Sequence, residues 1–269
     1  MTRRSNRRDE EGSGFKVILT ILLIALLIIL GIIGYRFWQY KDAAESYEAL
    51  DSFMKTEPEK MEIEVEASNM QMQERAPWPD LEIDADALKA VNPDFRFVLY
   101  FPLLDIKYPV VYPEDNEKYL KTSFDLTSSI TGCLFVDARN SDGLKDRNTI
   151  IYGHNMRDGS MFGNFRKLLQ DSTFIDQDPY FWLYFDGEVR KYEVFAFYTT
   201  TPDSGAYIVP KSDDAYDSFV KAAQSRSLNR RPVDLSNRPD VITLSTCYGT
   251  DHQYFTVVQG ALVATYKTN

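Results

Sequence analysis

Apolar and polar positions divide the chain into two unlike parts. Residues 17–34, VILTILLIALLIILGIIG, carry no charge, and at 1.5 Å per residue they make about 27 Å of helix, close to the hydrocarbon thickness of a bilayer. In residues 41–54, KDAAESYEALDSFM, the positions Ala44, Tyr47, Leu50 and Met54 fall on one side at helical spacing, which predicts that the helix continues as a stalk. Residues 55–80 are acidic, are broken by Pro58, Pro77 and Pro79, keep no apolar period and read as a linker. The expected organisation is a basic N-terminus at 1–16, a membrane helix at 17–35, a stalk and linker at 36–80 and a folded domain at 81–269.

Beyond residue 81 the pattern turns to short runs of β-branched and aromatic residues. Strands are predicted at 95–101 (FRFVLYF), 107–111, 132–136, 148–152 (NTIIY), 180–185 (YFWLYF), 191–199, 241–246 and 254–266, because such side chains suit a pleated, half-buried surface. Eight strands with few helices suggest a closed or nearly closed, mainly β barrel. Helices are predicted at 114–122, at 161–169 with Met161, Phe165 and Leu168 on one face, and at 213–223. Ser212 is placed to cap the last, with Asp213 and Asp214 in its first turn and Tyr216, Phe219, Val220 and Ala223 facing inward.

Charge sharpens the reading. With 30 Lys and Arg against 40 Asp and Glu, the chain lacks the clustered positive charge that nucleic-acid binding requires. Arg3, Arg4, Arg7, Arg8 and Lys16 precede the apolar span and only Arg36 and Lys41 follow it closely, so the positive-inside bias predicts a cytoplasmic N-terminus and an extracytoplasmic domain. Tyr35, Phe37, Trp38 and Tyr40 form an interfacial belt after the span, unlike the small-residue site that ends a cleaved signal.

Two cysteines and two histidines carry the candidate chemistry. Cys133, inside the apolar GCLFVD, reads as a small buried hydrophobe, whereas Cys247 ends a strand and is followed by a polar turn. A thiol nucleophile needs a cation or base nearby to form its thiolate and to move a proton. His252 is close in sequence but lies in the turn YGTDHQ; His154 follows the strand NTIIY through a glycine, where a strand could aim it at the end of another.

TLSTC followed by a strand, YGHNM followed by DGSMF, DNEKYL after YPVV, and a single N-terminal anchor together resemble the class B sortases of Gram-positive bacteria. The resemblance spans about residues 87–266 and implies that Cys247 attacks the Thr carbonyl of an LPXTG- or NPXTX-like C-terminal sorting signal to give an acyl-thioester. His154 would be the acid and base, and the acceptor an amine of peptidoglycan or of a pilin. Asn116, Leu120, Ser245, Tyr207 and Ile208 match positions lining the signal groove, and the helix at 213–223 is similar to an extra helix of class B enzymes. No metal and no cofactor are implied.

One departure stands out. The resemblance calls for an arginine about eight residues after the cysteine, where this chain has Phe255, and residues 248–269 contain no arginine. Candidate compensating groups are His252, Arg238 and the Arg230-Arg231 pair, or the backbone N–H of Tyr248. Three activities remain open: a transpeptidase, an impaired sortase-fold module that binds sorting signals, and a thiol hydrolase using the same acyl-enzyme with water as acceptor.

Overall fold

A computed structural model describes residues 5–56, 81–248 and 253–267. The chain divides into two units, Met1–Glu45 and Ser46–Asn269. The first is made by helix α1 (Ser5–Glu48), whose apolar side chains, Leu22, Leu26, Ile29 and Ile33 among them, stand exposed. The helix is long and apolar enough to cross a membrane.

The second unit begins well before Leu81. A 3-10 turn at Ala49–Phe53 leads into β1 (Met54–Thr56), which pairs antiparallel with β2 (Leu81–Ile83). Leu50 and Met54 are buried in the core with Leu81, Leu88 and Phe95. The Ser46 hydroxyl donates to Asp125 and the Tyr47 hydroxyl to the Gly132 carbonyl. Of the expected apolar face, Tyr47, Leu50 and Met54 thus pack into this unit's own core, whereas Ala44 is exposed. A domain starting at Leu81 is therefore expected to be less stable than one starting at Ser46 by on the order of 3–5 kcal/mol, the usual cost of losing large buried side chains. Urea unfolding of the two chains checks this; equal midpoints would show that residues 46–56 contribute nothing.

After β2, a short helix α2 (Ala85–Val91) starts at Asp84, whose carboxylate accepts from the Ala87 N–H. All eight strands expected from the sequence form: β3 (Phe95–Phe101), β4 (Ile106–Val111), β5 (Leu134–Val136), β6 (Asn148–Tyr152), β7 (Tyr180–Phe185), β8 (Glu188–Thr200), β9 (Val241–Tyr248) and β10 (Tyr254–Lys267). They close into a barrel in the order β10-β8-β7-β3-β4-β5-β6-β9. Inside it Leu99, Phe101, Val110, Leu134, Ile151, Leu183, Leu244 and Val258 are fully or almost fully buried.

Two neighbouring pairs are parallel, β4 with β5 and β6 with β9. Parallel partners need long connections, and the one from β6 to β9 contains α3 (Phe165–Gln170), β7, β8 and α4 (Asp213–Arg226). Helix α4 follows the sequence expectation: the Ser212 side chain accepts from the Ala215 N–H, and Tyr216, Phe219, Val220 and Ala223 are buried. The other two helices shrink. Met161 is buried as expected but sits at φ 52°, in an isolated bridge with Asn155, so α3 starts only at Phe165. Between 114 and 122 only a 3-10 turn forms, Lys118–Leu120, because the Asp115 carboxylate takes the Glu117 and Lys118 N–H groups at 2.8 Å each.

Candidate active site

The end of β6 and the end of β9 carry the two residues of interest. Their parallel register runs from Asn148 opposite Val241 to Tyr152 opposite Ser245, and the Gly153 N–H donates to the Ser245 carbonyl at 3.1 Å, extending the pairing past β6. The next residue on one strand is His154; two further on the other is Cys247. Adjacent strands lie about 4.8 Å apart, so residues from distant parts of the chain become backbone neighbours at one end of the barrel.

Gly153 is required at this point. A Cβ there would come within 2.3 Å of Leu134 and 2.8 Å of Phe162, so the segment Tyr152-Gly153-His154 is packed against the barrel wall. The loop after it is tied back by the Phe162 N–H, which donates to the His154 carbonyl at 3.0 Å. His154 therefore leaves the barrel on a held backbone.

Buried polar groups tie the same strands to the loop after β8. The Tyr198 hydroxyl donates to Gln259, Gln259 to Thr243, and Thr243 to Asn148. Asn148 in turn donates to the carbonyls of Ala206 and Ile208 at 3.2 and 2.9 Å. Asn148, Thr243 and Gln259 are fully buried, so this chain pins the 3-10 turn Gly205–Tyr207 against β6 and β9. Tyr207 is 9% exposed, and its hydroxyl shares a 2.9 Å hydrogen bond with the hydroxyl of buried Ser245.

Of the groove residues inferred from sequence, Ser245 and Tyr207 touch each other, while Ile208 follows them with 53% of its surface open and Leu120 lies open on its 3-10 turn. Asn116 is held from both ends: its amide donates to Asp137 at 3.2 Å and its carbonyl accepts from the Ala138 N–H at 2.8 Å.

Phe255 stands opposite Cys247 in the antiparallel pairing of β9 with β10. Its ring is half-buried and meets the Tyr207 ring edge-on, with centroids 6.3 Å apart. Arg238 does not compensate for it. It precedes β9 at the end remote from Cys247, about 20 Å along the strand, and its guanidinium grips Asp217 through two 2.8 Å hydrogen bonds and pairs with Asp213 at 3.2 Å. Arg231 is similarly taken up by Asp176 and Glu193, and Arg230 lines a surface cavity with Lys221 and Phe195. His252 lies outside the described residues.

The structure adds residues that the sequence reading passed over. Asp137, just after β5, is fully buried and accepts from the Tyr152 hydroxyl at 2.9 Å, from Asn116, and from the Arg139 backbone N–H and guanidinium. Burial alone would raise its pKa, but these donors outweigh it and hold the carboxyl down at about 2. The same burial, with the carboxylate beside it, pushes the Tyr152 hydroxyl above the ordinary tyrosine value, so it stays a donor. The only sequence signal was FVDARN, an acid and an arginine two apart after an apolar strand. Cys133 is free, and burial pushes its thiol up to about 12.

The closed barrel thus pairs the strand that leads to His154 with the strand that carries Cys247, which suits thiol chemistry assisted by an imidazole. Comparison with known proteins specifies the class. The Sortase domain model matches residues 99–263. Sortase B of Listeria monocytogenes is 36% identical over 184 residues, covering 65% of this chain and 72% of that protein. Sortase B of Staphylococcus aureus is 26% identical over 235 residues, covering 86% and 90%. The crystal structure of Clostridium perfringens sortase B superposes with a TM-score of 0.62 at 30% identity, covering 66% of this chain and 99% of that one. The chain belongs to the sortase family, among its class B members, and is a cysteine transpeptidase.

Proposed function

We propose that the protein is a membrane-anchored transpeptidase in which Cys247 is the nucleophile and His154 its acid and base. The observation that supports this reading is the parallel β6–β9 register, which runs to Tyr152 opposite Ser245, two residues short of His154 on one strand and of Cys247 on the other. The Cys247 thiolate attacks the carbonyl of Thr in an LPXTG- or NPXTX-like sorting signal. The peptide C–N bond breaks as His154 protonates the leaving amine, and the acyl group stays on sulfur as a thioester. An incoming amine from peptidoglycan or a pilin then attacks the thioester, gives its proton to His154 and releases Cys247. Asn116, Leu120, Ser245, Tyr207 and Ile208 are the groove that orients the signal.

The N-terminal helix fits an anchor with its basic end in the cytoplasm and the barrel outside, since the arginines cluster before the apolar span. A second reading, a binding module that recognises signals without turning them over, rests on Phe255, which offers no donor to an oxyanion.

The full chain in detergent, incubated with LPXTG-, NPXTX- and SPXTG-like peptides and read by intact mass, separates the two. A single thioester adduct that is discharged by added amine is the expected result. Measurable peptide binding without any adduct would replace the enzyme by the binding module.

A further inference from the structure

The site is braced by a carboxylate that performs none of the chemistry. Asp137 gathers donors from three segments: Asn116 from the loop after β4, Arg139 from its own turn and Tyr152 from the end of β6. Tyr152 lies two residues before His154, with only the tightly packed Gly153 between them. Its ring packs against Phe135 at 5.5 Å and stacks on Tyr207 at 6.2 Å. Tyr207 continues the line, by its hydroxyl to Ser245 and by its ring to Phe255. A buried carboxylate, three partners and a run of four rings therefore link the groove loop, the His154 strand and the residue opposite Cys247.

The Arg139 guanidinium is engaged by the Asp137 carboxylate through both Nε and Nη2. Arg139 follows β5, which is separated from β9 by β6. The Asp137 carboxyl, held at about 2, stays ionised wherever the reaction runs, so it acts as a fixed anchor and not as a proton relay. Charge-assisted hydrogen bonds to a buried carboxylate are strong and geometrically strict, and losing one partner leaves the rest poorly compensated.

We propose that Asp137 is a positioning residue of this active site: by holding the Tyr152 hydroxyl it sets the Tyr152-Gly153-His154 segment, and so the placement of His154 against Cys247. The inference rests on the assignment of those two residues above. Its test needs no sorting peptide. In the full chain in detergent, alkylation of Cys247 by iodoacetamide is followed by intact mass across pH, for the natural sequence and for Tyr152→Phe, Asp137→Asn and His154→Ala. Cys133→Ala as a common background leaves one reactive thiol.

Removing His154 shifts the alkylation midpoint, and both Tyr152→Phe and Asp137→Asn are expected to move it at least halfway to that of His154→Ala. Tyr152→Phe keeps every ring contact and is expected to unfold within a few degrees of the natural chain, so it decides the matter if Asp137→Asn fails to fold. A midpoint unchanged in either folded variant, with His154→Ala shifted, overturns the positioning role alone. Coincidence of His154→Ala with the natural chain overturns the pairing of His154 with Cys247 and this inference with it.

Discussion

Cys247→Ala abolishes covalent adduct formation with every sorting peptide while leaving the barrel folded. A thioester forms only on a cysteine sulfur, and with Cys247 as the proposed nucleophile the expected effect is loss of reaction and not a reduced rate. His154→Ala is expected to slow acylation by about 10²–10⁴-fold, the usual contribution of a positioned acid and base. Both are read by intact mass against peptide concentration. An adduct that persists in Cys247→Ala would put the nucleophile elsewhere. The other cysteine is a poor substitute, because its buried thiol is pushed up to about 12.

Phe255→Arg is the second large effect. Losing one oxyanion donor lowers a rate by roughly 10²–10³, so restoring a guanidinium opposite Cys247 is expected to raise the limiting acylation rate by about tenfold or more. The position can accept it. Phe255 is half-buried with its ring edge-on to Tyr207, and an arginine stem can lie along that ring while its head reaches the solvent side. Single-turnover acylation of the two chains is the measurement. If Phe255→Arg abolishes acylation, the site has been rebuilt around the Phe255–Tyr207 contact, and the absent donor is not what limits it.

How much of the site was legible follows from what local patterns encode. All eight barrel strands were readable, because FRFVLYF, NTIIY and YFWLYF are dense in side chains that pack on a pleated sheet. Helix α4 was readable from Ser212 to its buried face, since capping and helical spacing are local. The helix expected at 161–169 loses its start, because Met161 is drawn into a bridge with Asn155 that local spacing does not foresee. Residues 41–54 showed the apolar face correctly at Tyr47, Leu50 and Met54 but not at Ala44, which is exposed, and periodicity does not say what that face covers; Leu50 and Met54 lie in the core of the second unit.

Asp137 and Arg139 illustrate the limit most sharply. A charged pair in a turn reads as solvated surface, and only the convergence of Asn116 and Tyr152 from other segments makes the carboxylate a buried junction. Conversely, Arg238 looked available in sequence, yet the fold puts it beyond the far end of β9 and closes it on Asp217 and Asp213.

By itself the sequence determined the identity of the elements: an apolar helix able to span a bilayer, eight strands, a strand-end cysteine, and Phe255 in place of an arginine. The helix, the strands and the position of the cysteine follow from side-chain type and spacing within a few residues, whereas an arginine expected where Phe255 stands is implied only by the resemblance to class B sortases. Only the tertiary structure decided which elements adjoin. The parallel pairing of β6 with β9, which brings the strand leading to His154 alongside the strand that ends near Cys247, forms across α3, β7, β8 and α4. No local pattern encodes such a pairing, because it is settled by barrel closure and the burial of both strands together.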